Sequence, residues 1–149
     1  MTRPFRRYPC DQVVSHRREI RIMPLESLVG RRVELPPALL ARFPELARAR
    51  YRRGGLPPRI GGWFLGQSEV AAITLWRTIW LANSLSFDPE LLLHELRHVA
   101  QFESSRAFPI LYVWESLLRG YQANRYEVDA RAFAAARMRG ATESNPVGE

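Results

Sequence analysis

The five residues from His94 to His98 have the types and the spacing of a metal site with a general base beside it. On an α-helix His94 and His98 lie one turn apart on the same face, so both imidazoles can reach a single ion. Glu95 lies about 100° around the helix from His94, beside the ion rather than on it. That position suits a base that takes a proton from a water activated by the metal. The pattern (His-Glu-x-x-His) predicts zinc-dependent hydrolysis, with Glu95 as the catalytic residue and the two histidines as zinc ligands.

A helix over residues 89–103 is predicted to carry this motif. Asp88 is a suitable N-cap, and Pro89 suits the first helical position. Most of the circumference is apolar, and a helix of that kind is normally buried. Its polar strip contains both histidines and Gln101, and buried polar groups need partners. We therefore expect a buried helix whose polar strip binds a metal ion.

A catalytic zinc bound by two histidines and a water lacks one protein ligand. Among the later acids Glu127 is the best candidate, because Ala130 and Ala134 flank its helical face and would let that helix approach the metal helix closely. Asp129 lies about 200° around the helix from Glu127, so the two cannot both face the site. The alternative is that Glu127 only caps its helix, because residues 124–127 match a capping box.

The rest of the chain predicts a small α+β domain around these helices. Periodicity and turn residues indicate, in order, strands at 19–23 and 31–35, a helix at 38–43, a Gly/Pro-rich loop at 54–66 and a hairpin of 70–75 with 78–82. We expect a small antiparallel sheet or hairpin packed on a helical core in which the motif helix is buried.

Two more helices are predicted after the motif helix, over residues 109–122 and 125–139, with Gly140 as the stop signal. The first is amphipathic, and Glu115 and Arg119 are expected on its solvent face. Its apolar stripe, expected in the core, consists of Ile110, Val113, Trp114, Leu117, Leu118 and Tyr121.

Length and charge divide the 149 residues into three parts. Residues 1–34 are predicted to be a basic, partly disordered extension, 35–140 a single domain and 141–149 a disordered tail. Residues 1–60 hold 14 arginines against 5 acids, and the chain has no lysine. This basic half is interpreted first as a solvated arginine surface, and the alternative is contact with an acidic protein or another anionic partner. Nucleic acid is disfavoured because aromatic interleaving and nucleic-acid motifs are absent.

The sequence predicts neither a signal peptide nor a membrane span. No apolar run follows the basic start, and no stretch approaches 18 uninterrupted apolar residues. The single cysteine, Cys10, excludes an internal disulfide framework. A cytoplasmic location is therefore expected.

Several segments together resemble a minimal zincin-type metallopeptidase domain, of the kind found in cargo proteins of bacterial contractile injection systems. The resemblance covers residues 70–134 well and 35–69 loosely, and the segments that carry it are 72–75, 78–81, 88–89, 92–101 and 124–130. It implies a zinc peptidase of the glutamate-zincin type acting on a peptide or protein substrate. The implied ligands are His94, His98 and Glu127, with Glu95 as the base.

One position departs from the better-studied glutamate-zincins. They place an aspartate four residues after the ligand glutamate to orient a histidine, and this chain has Arg131 there. Arg131 would either pair with Glu127 and weaken its ligation or anchor a substrate carboxylate. Gln101 is a further candidate for supporting the ligands, and Tyr121 and Tyr126 are candidate donors to the developing oxyanion.

Two other functions remain open from the sequence. The chain could be a zincin-shaped binding or targeting module, with structural zinc and negligible turnover, that docks an acidic partner through its basic half. Alternatively, residues 1–60 could associate with nucleic acid through their arginines.

Overall fold

The computed structural model describes residues 25–64 and 70–143, and in them a small sheet packs against helices, which confirms the α+β class. The helices are α1 (Leu25–Val29), α2 (Pro37–Arg42), α3 (Leu56–Phe64), α4 (Pro89–Ser104), α5 (Phe108–Ala123) and α6 (Arg125–Glu143), with a 3-10 helix at Pro44–Arg48. The strands are β1 (Arg31–Val33), β2 (Arg50–Arg53), β3 (Ala72–Leu75) and β4 (Thr78–Leu81). The strand predicted at 19–23 lies outside the described residues.

The sheet is mixed, with the strand order β1-β2-β4-β3. The predicted hairpin is confirmed, because β3 and β4 pair antiparallel. The sheet is larger than the hairpin and includes one parallel pair, since β2 and β4 run parallel. Parallel strands need a crossover connection, and α3 lies in the segment that joins β2 to the hairpin.

Helix α3 occupies most of the segment that was predicted as a loop at 54–66, so that prediction is wrong. Gly54 and Gly55 have φ of 68° and 90°, values that glycine adopts without steric strain, and they turn the chain immediately before the helix. Pro57 and Pro58 then lie in its first turn, where a missing backbone N–H breaks no helical hydrogen bond. The glycines and prolines therefore mark the start of a helix.

The hydrophobic core lies between the sheet and α4. Ile79 and Leu81 alternate along β4 with their side chains on one face, and both are fully buried. The apolar face of α4 packs against them, so the predicted burial of the motif helix is confirmed. The core cluster consists of Leu35, Phe43, Leu46, Tyr51, Ile79, Leu81, Leu92, Leu93, Leu96, Val99 and Ala134.

Helix α5 has the opposite orientation to the one predicted. Its apolar stripe is exposed to solvent, and Glu115, predicted to face solvent, is buried between Arg119 and Arg125. The inner face is fixed by polar contacts, because the amide nitrogen of Asn124 donates to Ser116 Oγ at 2.7 Å. Within residues 25–64 and 70–143, no helix combines the length and the apolar character needed to cross a membrane.

The ends of α5 and α6 also differ from simple helices. Gly120 has φ of 74° and interrupts the helical geometry of α5 one turn before the end of that helix. Helix α6 begins at Arg125 as predicted, but the predicted stop at Gly140 is wrong because the helix continues to Glu143. Residues 141–143 are thus helical, and the remainder of the predicted tail lies outside the described residues.

Two arginines of the basic first half hold the sheet together. Arg52 donates to the backbone carbonyl of Gly30 at 2.7 Å, which ties β2 to the start of β1. Arg53 donates to the carbonyl of Asn83 at 3.2 Å, and its guanidinium lies over the ring of Phe87 at 5.0 Å. These two side chains are half-buried, so part of the positive charge has a structural role.

Candidate metal centre

The two histidines of α4 and the first glutamate of α6 converge on one point. His94 Nε2 lies 3.1 Å from His98 Nε2 and 3.3 Å from Glu127 Oε2. His98 Nε2 lies 3.1 Å from Glu127 Oε1. One donor atom from each residue lies within 4.8 Å of the other two, so the three side chains can hold a metal ion.

Small residues on α6 allow this convergence. Ala130 and Ala134 are fully buried and lie on the face of α6 that packs against α4. The capping alternative for Glu127 does not fit the structure. Asn124 caps α6 by accepting a hydrogen bond from the backbone N–H of Tyr126 at 2.9 Å, while the Glu127 carboxylate is directed to the histidines.

The Glu127 carboxylate fits a metal ligand better than a structural acid. Its side chain is 2% exposed, and its Oε2 accepts no well-formed hydrogen bond from any residue that the structure describes. A buried carboxylate oxygen without a donor is destabilising. A cation held with His94 and His98 would remove that penalty, and two histidines with a glutamate are a donor set of zinc hydrolases.

The charge states of Glu127 and His98 follow from their contacts. Burial alone would raise the pKa of Glu127, but the adjacent imidazoles of His94 and His98 and the Tyr112 hydroxyl hold it well below its usual range. Burial alone would lower the pKa of His98, but Glu127, Glu95 and Gln101 together outweigh burial and raise it. Without a metal ion, Glu127 is thus ionised and protonated His98 is favoured.

Tyr112 is a site residue that the sequence reasoning missed. Its hydroxyl donates to Glu127 Oε1 at 2.7 Å, and its ring lies edge-on to His98. Burial, followed by the effect of Glu127, raises the pKa of Tyr112 far above its usual value, so the hydroxyl stays a donor. No local spacing signals this residue, because it reaches the site from α5 only through the packing of three helices.

A chain of hydrogen bonds orients His98 from the side away from Glu127. His98 Nδ1 lies 2.8 Å from Gln101 Oε1, and the amide nitrogen of Gln101 donates to Asp129 Oδ2 at 2.8 Å and to the carbonyl of Tyr126 at 3.1 Å. These acceptors fix the orientation of the amide, so His98 Nδ1 carries the hydrogen and Nε2 is free for a metal.

Arg97 completes this chain of contacts. It donates to both carboxylate oxygens of Asp129, at 2.7 and 3.1 Å, and holds the pKa of Asp129 below its usual range. Asp129 is therefore a permanent acceptor for Gln101. The sequence reasoning excluded Asp129 as a ligand and named Gln101 as a supporting residue, and the structure places both behind His98.

We expect Gln101→Leu to lower zinc affinity about 10–100-fold, because His98 loses the acceptor that fixes its tautomer. A competition titration against a chromophoric chelator measures the change. Glu90→Gln, an exposed change in the first turn of the same helix, is the control and should leave the affinity unaltered. Equal affinity in Gln101→Leu and wild type would contradict a positioning role.

Glu95 is buried beside the metal ligands and has one hydrogen-bond donor. Thr74 Oγ1 lies 2.6 Å from Glu95 Oε2 and donates to it. Thr74 lies on β3, so the sheet fixes the carboxylate of the motif glutamate. The sequence predicted the hairpin that contains β3 but did not identify Thr74 as a site residue. Against the lowering effect of burial, Glu95 adds to the effect of Glu127 in raising the pKa of His98.

The three remaining candidates have different positions. Arg131 Nη1 lies 3.7 Å from Glu127 Oε2, so the first of its two predicted roles, pairing with Glu127, is seen. Burial, followed by the charge of Glu127, raises the pKa of Tyr121, which is therefore close to the site. The Tyr126 hydroxyl accepts from Arg125 at 3.0 Å, outside the ligand cluster, and Tyr126 supports the site through its backbone carbonyl.

We expect zinc affinity to fall about tenfold per pH unit as the pH drops through the raised pKa of His98, because binding then displaces one proton.

The stability of the metal-free chain should have the opposite pH dependence. The proton on His98 stabilises its fold below the ordinary pKa of 6.5, and that contribution is lost as the pH rises through the raised value. Chelator competition and thermal unfolding, each measured against pH, check the two trends. A zinc affinity independent of pH would contradict this account.

No protein-family model, curated protein or solved structure matches this chain.

Proposed function

We propose that this chain is a zinc metallopeptidase. The observation that supports it most is the convergence of His94, His98 and Glu127 on one point, with the buried carboxylate of Glu95 beside them. A zinc ion held by these three ligands would supply Lewis acidity and lower the pKa of a water.

The protein groups around this point have separate tasks. Glu95 accepts the proton of the attacking water and passes it to the leaving amine. Thr74 holds the Glu95 carboxylate in place through its hydroxyl. The Tyr112 hydroxyl donates to Glu127, which reduces the negative charge that Glu127 offers as a ligand. Of the two tyrosine candidates for an oxyanion donor, Tyr121 and Tyr126, the first is better placed. Glu127 acts on the Tyr121 hydroxyl, whereas the Tyr126 hydroxyl accepts from Arg125.

A peptide substrate fits the outer edge of β3. Among the described strands β3 pairs with β4 alone, so its other edge is available for an extended chain to add as a further strand. Thr74 lies in this strand, and its contact with Glu95 places the edge beside the catalytic base. Backbone hydrogen bonds would then supply most of the affinity, and selectivity for side chains would be broad.

Metal analysis and proteolysis of a peptide library test this proposal together. Protein purified without chelators should contain one zinc per chain, cleave a subset of peptides, lose cleavage on chelation and regain it with zinc. Absence of zinc from such a preparation would overturn the proposal.

A structural metal in a binding module is the second candidate. The ligands are nearly enclosed, with the side chains of His94 and Glu127 only 14% and 2% exposed. Arg131 also lies close enough to Glu127 to weaken its ligation. Structural zinc sites are closed, whereas catalytic ones keep an open position. Stoichiometric zinc without cleavage of any library peptide would select this function.

A further inference from the structure

The outer surface of α5 is the largest apolar feature that no described residue covers. We call it the α5 face. It consists of Ile110, Leu111, Val113, Trp114, Leu117 and Leu118. Ile110 and Leu117 are 76% and 77% exposed, and Trp114 is 59% exposed. A soluble monomer rarely leaves so many large apolar side chains in one place without a partner.

The orientation of α5 is set by polar contacts on its buried side. Tyr112 must face the metal centre to bind Glu127, and Ser116 binds Asn124 on the same side. Glu115 is buried and paired with two arginines. Because these polar groups face inward, the apolar residues on the opposite side of α5 must face outward. The exposure is therefore a property of the packed helix and not of a loosely attached one.

We propose that the α5 face binds the α5 face of a second copy of this chain, so that the protein is a symmetric dimer. Ile110, Trp114 and Leu117 follow one another at spacings of four and three residues. That spacing forms a straight seam along a helix and suits packing against a second helix at a shallow angle. A self-complementary patch is what a two-fold interface needs.

The exposed apolar area of the α5 face is large enough for a dimer interface. At their observed exposures, the six side chains present about 700 Å² per copy, close to the half-interface of an ordinary stable complex. The largest apolar patch of a typical monomer is about 300–600 Å². An interface of this size and apolar character is in the range that supports specific association of two small chains.

The α5 face itself is uncharged, which suits contact with an identical face. Each chain carries a formal charge of +7, so repulsion between two copies opposes this contact and is weakened by salt. From Ala107 to Leu118 the only charged residue is Glu115, which is buried. Arg119 and Arg125, which follow the face along the chain, both pair with the Glu115 carboxylate.

Sedimentation velocity of the full chain tests the dimer without any use of its activity, so the result is independent of the proposed function. Wild type should sediment at twice 17.2 kDa at micromolar concentration, and more completely at higher salt because repulsion is screened. Leu117→Arg, and separately Ile110→Arg, should weaken association at least about 30-fold. Both positions are highly exposed, so the fold and the zinc content should not change, and circular dichroism and metal analysis check this.

Ile60→Arg is the matched control, because Ile60 is a half-exposed apolar residue on α3 and lies outside the face. It should sediment like wild type. A wild-type chain that stays at 17.2 kDa at every concentration would overturn the proposal. So would flotation of a monomer with phosphatidylglycerol vesicles that Leu117→Arg abolishes, since that result assigns the face to a membrane surface. Dimers of equal strength in wild type and Leu117→Arg would place the interface elsewhere.

Discussion

Glu95→Gln should bind zinc as tightly as wild type and cleave peptides about 10²–10⁴-fold more slowly, because the amide cannot accept the proton of the attacking water. The substitution keeps the shape of the side chain, and the amide oxygen can still accept from Thr74. The expected result is therefore a loss of kcat with unchanged metal content. Single-turnover cleavage of the best library peptide, with zinc measured on the same sample, provides both values.

Glu103→Gln is the matched control for this experiment. It removes a carboxylate from the same helix, but Glu103 is partly exposed and pairs with Arg48 and Arg77, away from the ligands. Cleavage by this variant should equal that of wild type. Wild-type rates in Glu95→Gln would show that Glu95 is not the base, even if the protein proves to be a zinc peptidase.

Glu127→Gln should weaken zinc binding about 10²–10⁴-fold, because one of three ligands is lost and structural zinc sites have binding free energies of about 10–16 kcal/mol in total. The amide preserves the volume at a fully buried position and can still accept from Tyr112, so the apo fold should persist. Chelator competition measures the affinity, and circular dichroism checks the fold.

Glu143→Gln, an exposed change at the end of α6, serves as the control and should bind zinc like wild type. Undiminished zinc affinity in Glu127→Gln would mean that the ion is held by the histidines and other groups. The resemblance to glutamate-zincins would then lose its third ligand.

The three residues that could hold a metal ion were predicted from the sequence because their signals are local. The spacing of His94 and His98 places them on one face of any helix, and Asp88 with Pro89 marks where that helix begins. Glu127 followed from elimination among few acids and from the small residues beside it. The supporting groups could not be predicted in the same way. Thr74 and Tyr112 reach the site from other elements, and only the packing of those elements brings them close.

Two errors show what periodicity leaves out. The α5 stripe was correctly recognised as one face of a helix, but a pattern of apolar residues does not say whether that face meets the core or the solvent. The inner side was decided by a few polar contacts, such as that of Asn124 with Ser116. In α3, Pro57 and Pro58 were taken as loop residues although proline is also favoured in the first turn of a helix. In both places the same residues fit two structures: a buried or an exposed face in α5, and a loop or the start of a helix in α3.

The order of the ligands along the chain has a consequence for unfolding. His98 and Glu127 belong to different helices, and residues 99–126, with all of α5, lie between them. An ion bound by both would act as a cross-link that closes this segment into a loop, which lowers the entropy of the unfolded chain. Zinc would thus contribute to stability through chain connectivity as well as through its bonds.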